Sequence, residues 1–317
     1  MNRQRSLFSS ILILLLFLGS CINDDLSECP SGRYLHFETL NGKYSFRDVV
    51  ETVDLYIYKG NSLVETKRYS REEIQATGYK IYLNDRPNGT ELRYVALVNQ
   101  AEDCYHTTGS ETLEGMLTGL VSLETDSLSD LYHGAKDILF EHRSAGVADT
   151  IYLKKNTNRI NLYVGFDGYE LPQGSTLHSY IQGRNGQYDS ENKPVENSRY
   201  TYHPYRWALG GEESRYDYNA HFTTLRLWIG ADTDLSIEKQ DTAVSPLRAT
   251  EAQLLYRLNI VEELAKVVSS GGTYLYDTNE KLELEDEFDI ILLLDGSFVV
   301  LELIINDWVV ISNRVPL

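Results

Sequence analysis

The chain has 317 residues and a formal net charge of −18, from 47 acidic and 29 basic side chains. A balance this acidic argues against nucleic acid and anionic lipid headgroups as partners, because both need clustered Lys and Arg. Tyrosine is abundant at 23 residues and proline scarce at 7, a composition that suits strands and exposed binding faces.

Residues 1–20 read as a secretory signal peptide. Arg3 and Arg5 precede an apolar run from Ile11 to Leu18, and Leu18-Gly19-Ser20-Cys21 follows. A cysteine directly after Leu-Gly-Ser makes this a bacterial lipobox, which puts lipid on the Cys21 thiol and cuts the bond before it. The competing reading, an uncleaved transmembrane anchor, needs roughly 18–20 apolar residues, more than the run supplies. Stable anchoring takes more than one acyl chain. Losing residues 1–20 removes two arginines and leaves 297 residues at −20, enough for two domains of about 150 residues. Ile22 to Pro30 form a polar tether with Asp24, Asp25 and Glu28 close behind the lipid. That acidic cluster has two readings: it resembles the surface-export signal of Bacteroidetes lipoproteins, or it is a solvated linker. Two cysteines remain, Cys29 and Cys104. Beyond the inner membrane disulfides persist, so they either form one bridge, pinning the tether to the first domain, or stay as separate thiols. No Cys-x-x-Cys or His-x-x-x-His spacing occurs, which argues against zinc.

From Tyr34 onward the pattern has period two, the mark of half-buried strands. Val53, Leu55 and Ile57 alternate with Asp54, Tyr56 and Tyr58. The turn Lys59-Gly60-Asn61-Ser62 and the return from Leu63 to Tyr69 complete a hairpin. Ser70-Arg71-Glu72-Glu73 fits a capping box for one helical turn to Gln75. Tyr79 to Leu83 and Leu92 to Val98 are further strands, the latter with Leu92, Tyr94, Ala96 and Val98 on one face. Thr112 to Leu120 fits helix or loop equally. Ile138 to Phe140 and Thr150 to Leu153 close the first unit, and Lys154-Lys155-Asn156-Thr157-Asn158 marks a boundary. Ile160, Leu162, Val164 and Phe166 open the second unit. Gly174 to Glu213 reads as long exposed loops with short strands, Thr223 to Ile229 as a strand, and Asn259 to Val268 as a short helix. Phe288 to Leu294, Phe298 to Ile305 and Trp308 to Ile311 end the chain as paired apolar runs around Asp295-Gly296.

Many short strands with almost no helix imply an all-β fold of two tandem β-sandwiches. The expected domains are signal peptide 1–20, lipidated tether 21–30, N-terminal sandwich 31–155 and C-terminal sandwich 156–317. No catalytic motif emerges: there is no Gly-x-Ser-x-Gly, His-Glu-x-x-His or phosphate-binding Gly loop, so no enzyme activity, cofactor or metal is expected. Seven scattered histidines read as structural or surface residues. Asp232-Thr233-Asp234 reads as a turn before a calcium loop, and Glu285-Asp286-Glu287 as a solvated face before a glycosidase pair. Two features point to binding. The segment from Tyr200 to Trp207 offers Tyr202, Tyr205 and Trp207 as an aromatic platform for sugar or protein, or as core filling. Sandwich edges accept strands from other chains.

The order Cys21, Asn23-Asp24-Asp25-Leu26-Ser27-Glu28-Cys29-Pro30, Val53-Asp54-Leu55-Tyr56-Ile57-Tyr58, Val95-Ala96-Leu97-Val98-Asn99, Leu131-Tyr132-His133-Gly134 and Leu153-Lys154-Lys155-Asn156-Thr157-Asn158-Arg159-Ile160 resembles the FimB-type fimbrial anchor lipoproteins of Bacteroidales, the fimbrillin-A-associated anchor proteins. The likeness runs from Cys21 to the Trp308 region, with nothing matched between Gly174 and Asn219. It implies two transthyretin-like β-sandwiches facing outward from the outer membrane. It also implies fimbrial stalk subunits as protein partners, and a role in holding the fimbria's base and limiting its length. Such fimbriae polymerise by strand exchange after proteolysis removes a subunit's own strand. Here the lipid sits at the head of that segment, so an anchor should keep Arg33 to Leu40 in its own groove, with Arg33 protease-resistant. The competing class is a surface glycan-binding lipoprotein that uses Tyr205 and Trp207.

Overall fold

A computed structural model describes residues 32–40, 43–84, 86–141, 146–171, 174–195, 198–210, 215–241 and 252–313. In chain order the first ten strands are β1 (Tyr34–Thr39), β2 (Thr52–Lys59), β3 (Ser62–Ser70), β4 (Ile81–Tyr82), β5 (Thr90–Val98), β6 (Tyr105–Thr108), β7 (Leu117–Leu120), β8 (Glu124–Thr125), β9 (Tyr132–Phe140) and β10 (Ala148–Lys155). The next eleven are β11 (Thr157–Asp167), β12 (Ser175–Gly183), β13 (Gln187–Asp189), β14 (Tyr200–Tyr202), β15 (Arg206–Leu209), β16 (Tyr218–Leu225), β17 (Thr233–Asp241), β18 (Gln253–Asn259), β19 (Glu287–Asp295), β20 (Val300–Ile305) and β21 (Trp308–Ser312). Four short helices punctuate them: α1 (Phe46–Val49), α2 (Arg71–Ala76), α3 (Ile260–Leu264) and α4 (Asn279–Leu282). The protein is all-β, built as two sandwiches.

The first sandwich has the strand order β3-β2-β5-β9-β10-β1-β4. The β2–β3 hairpin and the α2 capping box form where the alternation and Ser70 place them; Ser70 Oγ accepts from Glu73 N–H while Glu73 Oε2 accepts from Ser70 N–H. Strand β10 serves two neighbours. Lys154 and Lys155 pair with β9, while Ala148 to Leu153 run parallel to β1. The close crossing requires Gly134 on β9, because a Cβ there would lie 2.5 Å from Ile151 Cγ2 and 2.7 Å from the Tyr152 carbonyl. Leu35, Phe37, Leu55, Leu92, Tyr94, Ile151 and Leu153 fill the core between the layers. Strand β5 is buried on both faces, because residues 110–116 fold over its back; Tyr58 donates to the Ser110 carbonyl at 3.0 Å, and Met116 packs with Val95 and Leu97.

The second sandwich stacks β15-β16-β11-β19-β20-β21 on β18-β17-β12-β14-β8. Ile160, Leu162 and Val164 of β11 face Leu177, Ile181, Leu235 and Ile237 across the core. The excursion between β5 and β9 leaves the first sandwich and joins this one. β7 pairs with both β6 and β13, β8 pairs with β14, and Tyr105, Leu120, Leu128 and Leu131 enter the second core.

Several strand expectations change. Residues 174–210 hold a nine-residue strand, β12, rather than only loops with short strands. Tyr79 to Leu83 pairs only at Ile81–Tyr82. The expected strand Thr223 to Ile229 starts earlier, at Tyr218, and stops at Leu225. Beyond it, side-chain amides take the backbone: Asn158 Oδ1 accepts from Leu227 N–H at 2.7 Å, and Asn279 Oδ1 from Ile229 N–H at 2.8 Å. The turn after β19 spans residues 296–299, with Asp295 Oδ1 accepting from Ser297 and Val299 N–H.

Candidate functional site

Strand β1 is the first element of the described chain. Leu35 and Phe37 are fully buried, and all six β1 residues are in register with β10. Arg33, immediately before the strand, is tied down in three ways. Its guanidinium pairs with the Asp149 carboxylate, Nη2 donating to Oδ1 at 3.1 Å and Nε to Oδ2. It also donates to the Leu139 carbonyl and lies 5.5 Å from the Phe140 ring centroid. The peptide bond after Arg33 is held in the sheet, since the Arg33 carbonyl accepts from Leu83 N–H at 2.8 Å. Cys21 and Cys29 lie outside the described residues. Among the described residues Cys104 has no disulfide partner; it is half-buried, with Sγ 3.9 Å from the Ser127 carbonyl.

The sheet edges differ in their defences. Edge strands avoid pairing with other chains when they carry charge or are very short. Of the described edges five residues or longer, β3 carries Glu65, Lys67 and Arg68, and β18 carries Arg257. β21 reads Trp308-Val309-Val310-Ile311-Ser312, with no charge and with Val309 57% exposed. It is joined to β20 by the two-residue turn Asn306-Asp307, both residues at positive φ, as a tight hairpin requires.

The three aromatics of the proposed platform separate. Tyr202 is fully buried, its hydroxyl donating to Asn185 Oδ1 at 3.2 Å, and burial drives its pKa well up. It is core filling. Tyr205 and Trp207 are each 48% exposed on and before edge strand β15, but they face different neighbours. Trp207 sits 6.3 Å from the His178 ring and lines a cleft of about 550 Å³ with Tyr180, His203 and Glu238. The Tyr205 ring lies 6.2 Å from His221 on the outward face of the six-stranded sheet.

That outward face holds a polar row that reasoning from sequence missed. Register places Arg206, His221, Asn161 and Asp289 side by side across β15, β16, β11 and β19. Asn161 Nδ2 donates to Asp289 Oδ1 at 2.7 Å and Glu287 Oε1 at 2.8 Å, and Asn161 Oδ1 lies 2.7 Å from His221 Nδ1. Carboxylates only accept, so the amide nitrogen must face them and the amide oxygen must take the proton of His221 Nδ1. His221 Nε2 is then an acceptor. Burial first, and the charge of Arg206 next, lower the His221 pKa and keep the ring neutral. The only advance signal was the outward alternation of Asn161 and Tyr163; their partners lie about 60 and 128 residues away along the chain. Elsewhere Asp234 is engaged by Arg257 at 2.6 Å and Arg199 at 3.3 Å, which explains the Asp232-Thr233-Asp234 motif as an ion-pair node.

Residues 26–314 match the model of the family described as fimbrillin-A associated anchor proteins Mfa1 and Mfa2. The chain belongs to that family, which is a structural one of fimbrial anchors rather than an enzyme family. Solved structures share the fold. The fimbrial anchor protein Mfa2 from Porphyromonas gingivalis aligns with a TM-score of 0.64 at 18% identity, covering 89% of this chain and 99% of that one. A candidate polysaccharide-binding protein from Bacteroides thetaiotaomicron aligns at 0.70 and 18% identity, over 88% and 96% of the two chains. A candidate adhesin from Bacteroides ovatus aligns at 0.67 and 20% identity, over 88% and 94%. No curated protein matches the sequence.

Proposed function

We propose that this chain is an outer-membrane lipoprotein, acylated on Cys21, that holds the base of a fimbria on the cell exterior and limits its length. Family membership supports the anchor role. The observation that carries the finer reading is the locked β1. In a polymerising subunit, a vacated groove accepts the neighbour's strand. Here the strand that would have to leave carries the lipid, and Arg33 is ion-paired and recessed at its head. The chain keeps its groove filled, stays on the membrane and offers the stalk an edge instead. The uncharged β21 is that edge, and extended segments of stalk subunits pair with it by strand addition. The tether cluster Asp24, Asp25 and Glu28 directs the lipoprotein outward. Residues 31–155 and 156–317 act as its two sandwich domains, with the β6–β8 excursion of the first packed on the second.

The test is a detergent pull-down of the tagged full-length protein from its native outer membrane, run unheated and boiled on a denaturing gel. The expected result is a ladder containing a small repeating β subunit that collapses on boiling, with the mature anchor beginning at Cys21. A mature N-terminus well beyond Cys21, or a single band without a polymeric partner, would overturn the reading.

A further inference from the structure

We propose that the outward face of the six-stranded sheet, centred on Asn161, Tyr163, Tyr205, His221, Glu287 and Asp289, is a binding site for a neutral, hydroxyl-rich saccharide. Three observations converge on it.

The first is pre-organisation. Asn161 is nearly buried at the floor of the row, and both hydrogens of its amide are committed to the two carboxylates. Each carboxylate is held in place yet keeps further lone pairs, and both residues are exposed. His221 is fixed in the tautomer whose Nε2 accepts. The face therefore presents acceptors at fixed positions, which is what a ligand rich in hydroxyl donors needs. Ordering these groups before binding spares the entropy that mobile side chains would lose.

The second is the aromatic flank. Tyr163 stands edge-on to His221 at 6.2 Å, Tyr205 lies 6.2 Å from the same imidazole, and Tyr216 packs 5.2 Å from Tyr163. Tyrosines that are part-exposed in this way offer a broad apolar face with a polar tip. The C–H face of a pyranose ring stacks on such a surface while its equatorial hydroxyls reach the acceptors.

The third is charge. Two carboxylates within hydrogen-bond reach of one amide repel sulfated, phosphorylated or sialylated glycans. Arg206 beside His221 and Arg159 beside Glu287 in register offset part of that negative charge. A neutral polyol donates its hydroxyls to these acceptors without a charge penalty of its own. This site is distinct from the Trp207 cleft, which opens beside His178 and Glu238, and from edge strand β21, so it does not rest on the anchor reading.

The experiment is a glycan array probed with the full-length lipoprotein in detergent micelles, carrying neutral, sialylated and sulfated oligosaccharides. The best neutral binder is then titrated against the wild type and the variants Asp289→Asn, Tyr163→Ala and Trp207→Ala. The expected result is retention of neutral glycans alone. Removing a charged hydrogen-bond acceptor or the stacking ring should weaken affinity by roughly tenfold or more. Trp207→Ala should leave it unchanged. Asp289→Asn is isosteric at an exposed position, and unchanged far-UV circular dichroism checks its fold. Absence of any neutral binder, preference for anionic glycans, or affinity that follows Trp207 rather than Asp289 and Tyr163 would each overturn the proposal.

Discussion

Under the anchoring proposed through Cys21, Arg33 is the side chain that decides whether the protein stays on its membrane. It is the sole Lys or Arg between Cys21 and Lys43, so trypsin-like cleavage after it would sever the lipid. Its side chain is 14% exposed and that of Asp149 8%, and Lys136 Nζ approaches the same carboxylate at 3.8 Å. Breaking a buried pair by deleting one partner strands the other charge, at about 3–5 kcal/mol when fully buried; the residual exposure of Arg33 reduces this to roughly 2–3 kcal/mol. Asp149→Ala should therefore loosen the start of β1. Membranes bearing the wild type should keep the protein under mild trypsin. Those bearing Asp149→Ala should release a fragment beginning at Tyr34, detectable by intact mass. Equal release from both would mean that the ion pair does not guard the bond.

At the scale of elements, the β21 edge makes a sharp prediction. Val309 is exposed, so Val309→Lys should alter stability by less than about 0.5 kcal/mol. A charge on a bare edge opposes strand addition. The variant should reach the outer membrane normally yet yield no polymer ladder in the pull-down. Leu254→Lys, an equally exposed change on the already charged β18, should leave the ladder intact. A ladder that survives Val309→Lys would move the stalk contact elsewhere. The same scale shows what could be read in advance. Strands β2, β5 and β11 were legible because apolar residues alternate along them, β3 as the return of a hairpin, and β19, β20 and β21 as apolar runs paired around a turn. β12 was not, because its inward positions are Ser175, Leu177, Ser179, Ile181 and Gly183. Three of the five are small or polar, so burial alternates while hydrophobicity does not; Ser179 instead bonds Tyr218 Oη at 2.7 Å. The opposite error occurred after Leu225. There Leu227 is buried and keeps the alternation, but Asn158, Asn185 and Asn279 take the backbone groups that a neighbouring strand would need. The polar row on the outward face was invisible for a third reason. Its members become neighbours only through register between strands far apart in sequence.

At the scale of the whole molecule, the two sandwiches are joined by more than the single residue between β10 and β11. Asn156 at that junction exchanges hydrogen bonds with Asn192 at 2.6 and 3.0 Å, Arg93 reaches Glu191 at 2.6 Å, and Lys154 reaches Glu283 at 2.6 Å. Arg226, 2% exposed, lies between the Tyr188 and Trp228 rings, with Glu283 3.7 Å from its Nη2. In the arrangement proposed above, a load passing from a stalk on β21 to the lipid on Cys21 crosses this junction. His133 sits within it on β9, hydrogen-bonded to the backbone of Ser190. Burial, reinforced by the charges of Arg226, Arg93 and Lys154, lowers its pKa to about 3. An unfolded chain protonates this ring near 6.5. Between those values the unfolded state holds one more proton than the folded state, so stability falls as pH falls, at about 1.4 kcal/mol per pH unit. The contribution is intact above 6.5. His133→Gln removes the titrating group and keeps a neutral polar side chain. From pH 6.5 to pH 5 the wild type should lose about 2 kcal/mol more than the variant in urea denaturation. Asp54 and Asp286, whose pKa values burial raises, titrate in both proteins and cancel in the difference. Identical losses would mean that the buried imidazole is not what couples the junction to acid, and the ion pairs Arg93–Glu191 and Lys154–Glu283 would be the next groups to remove.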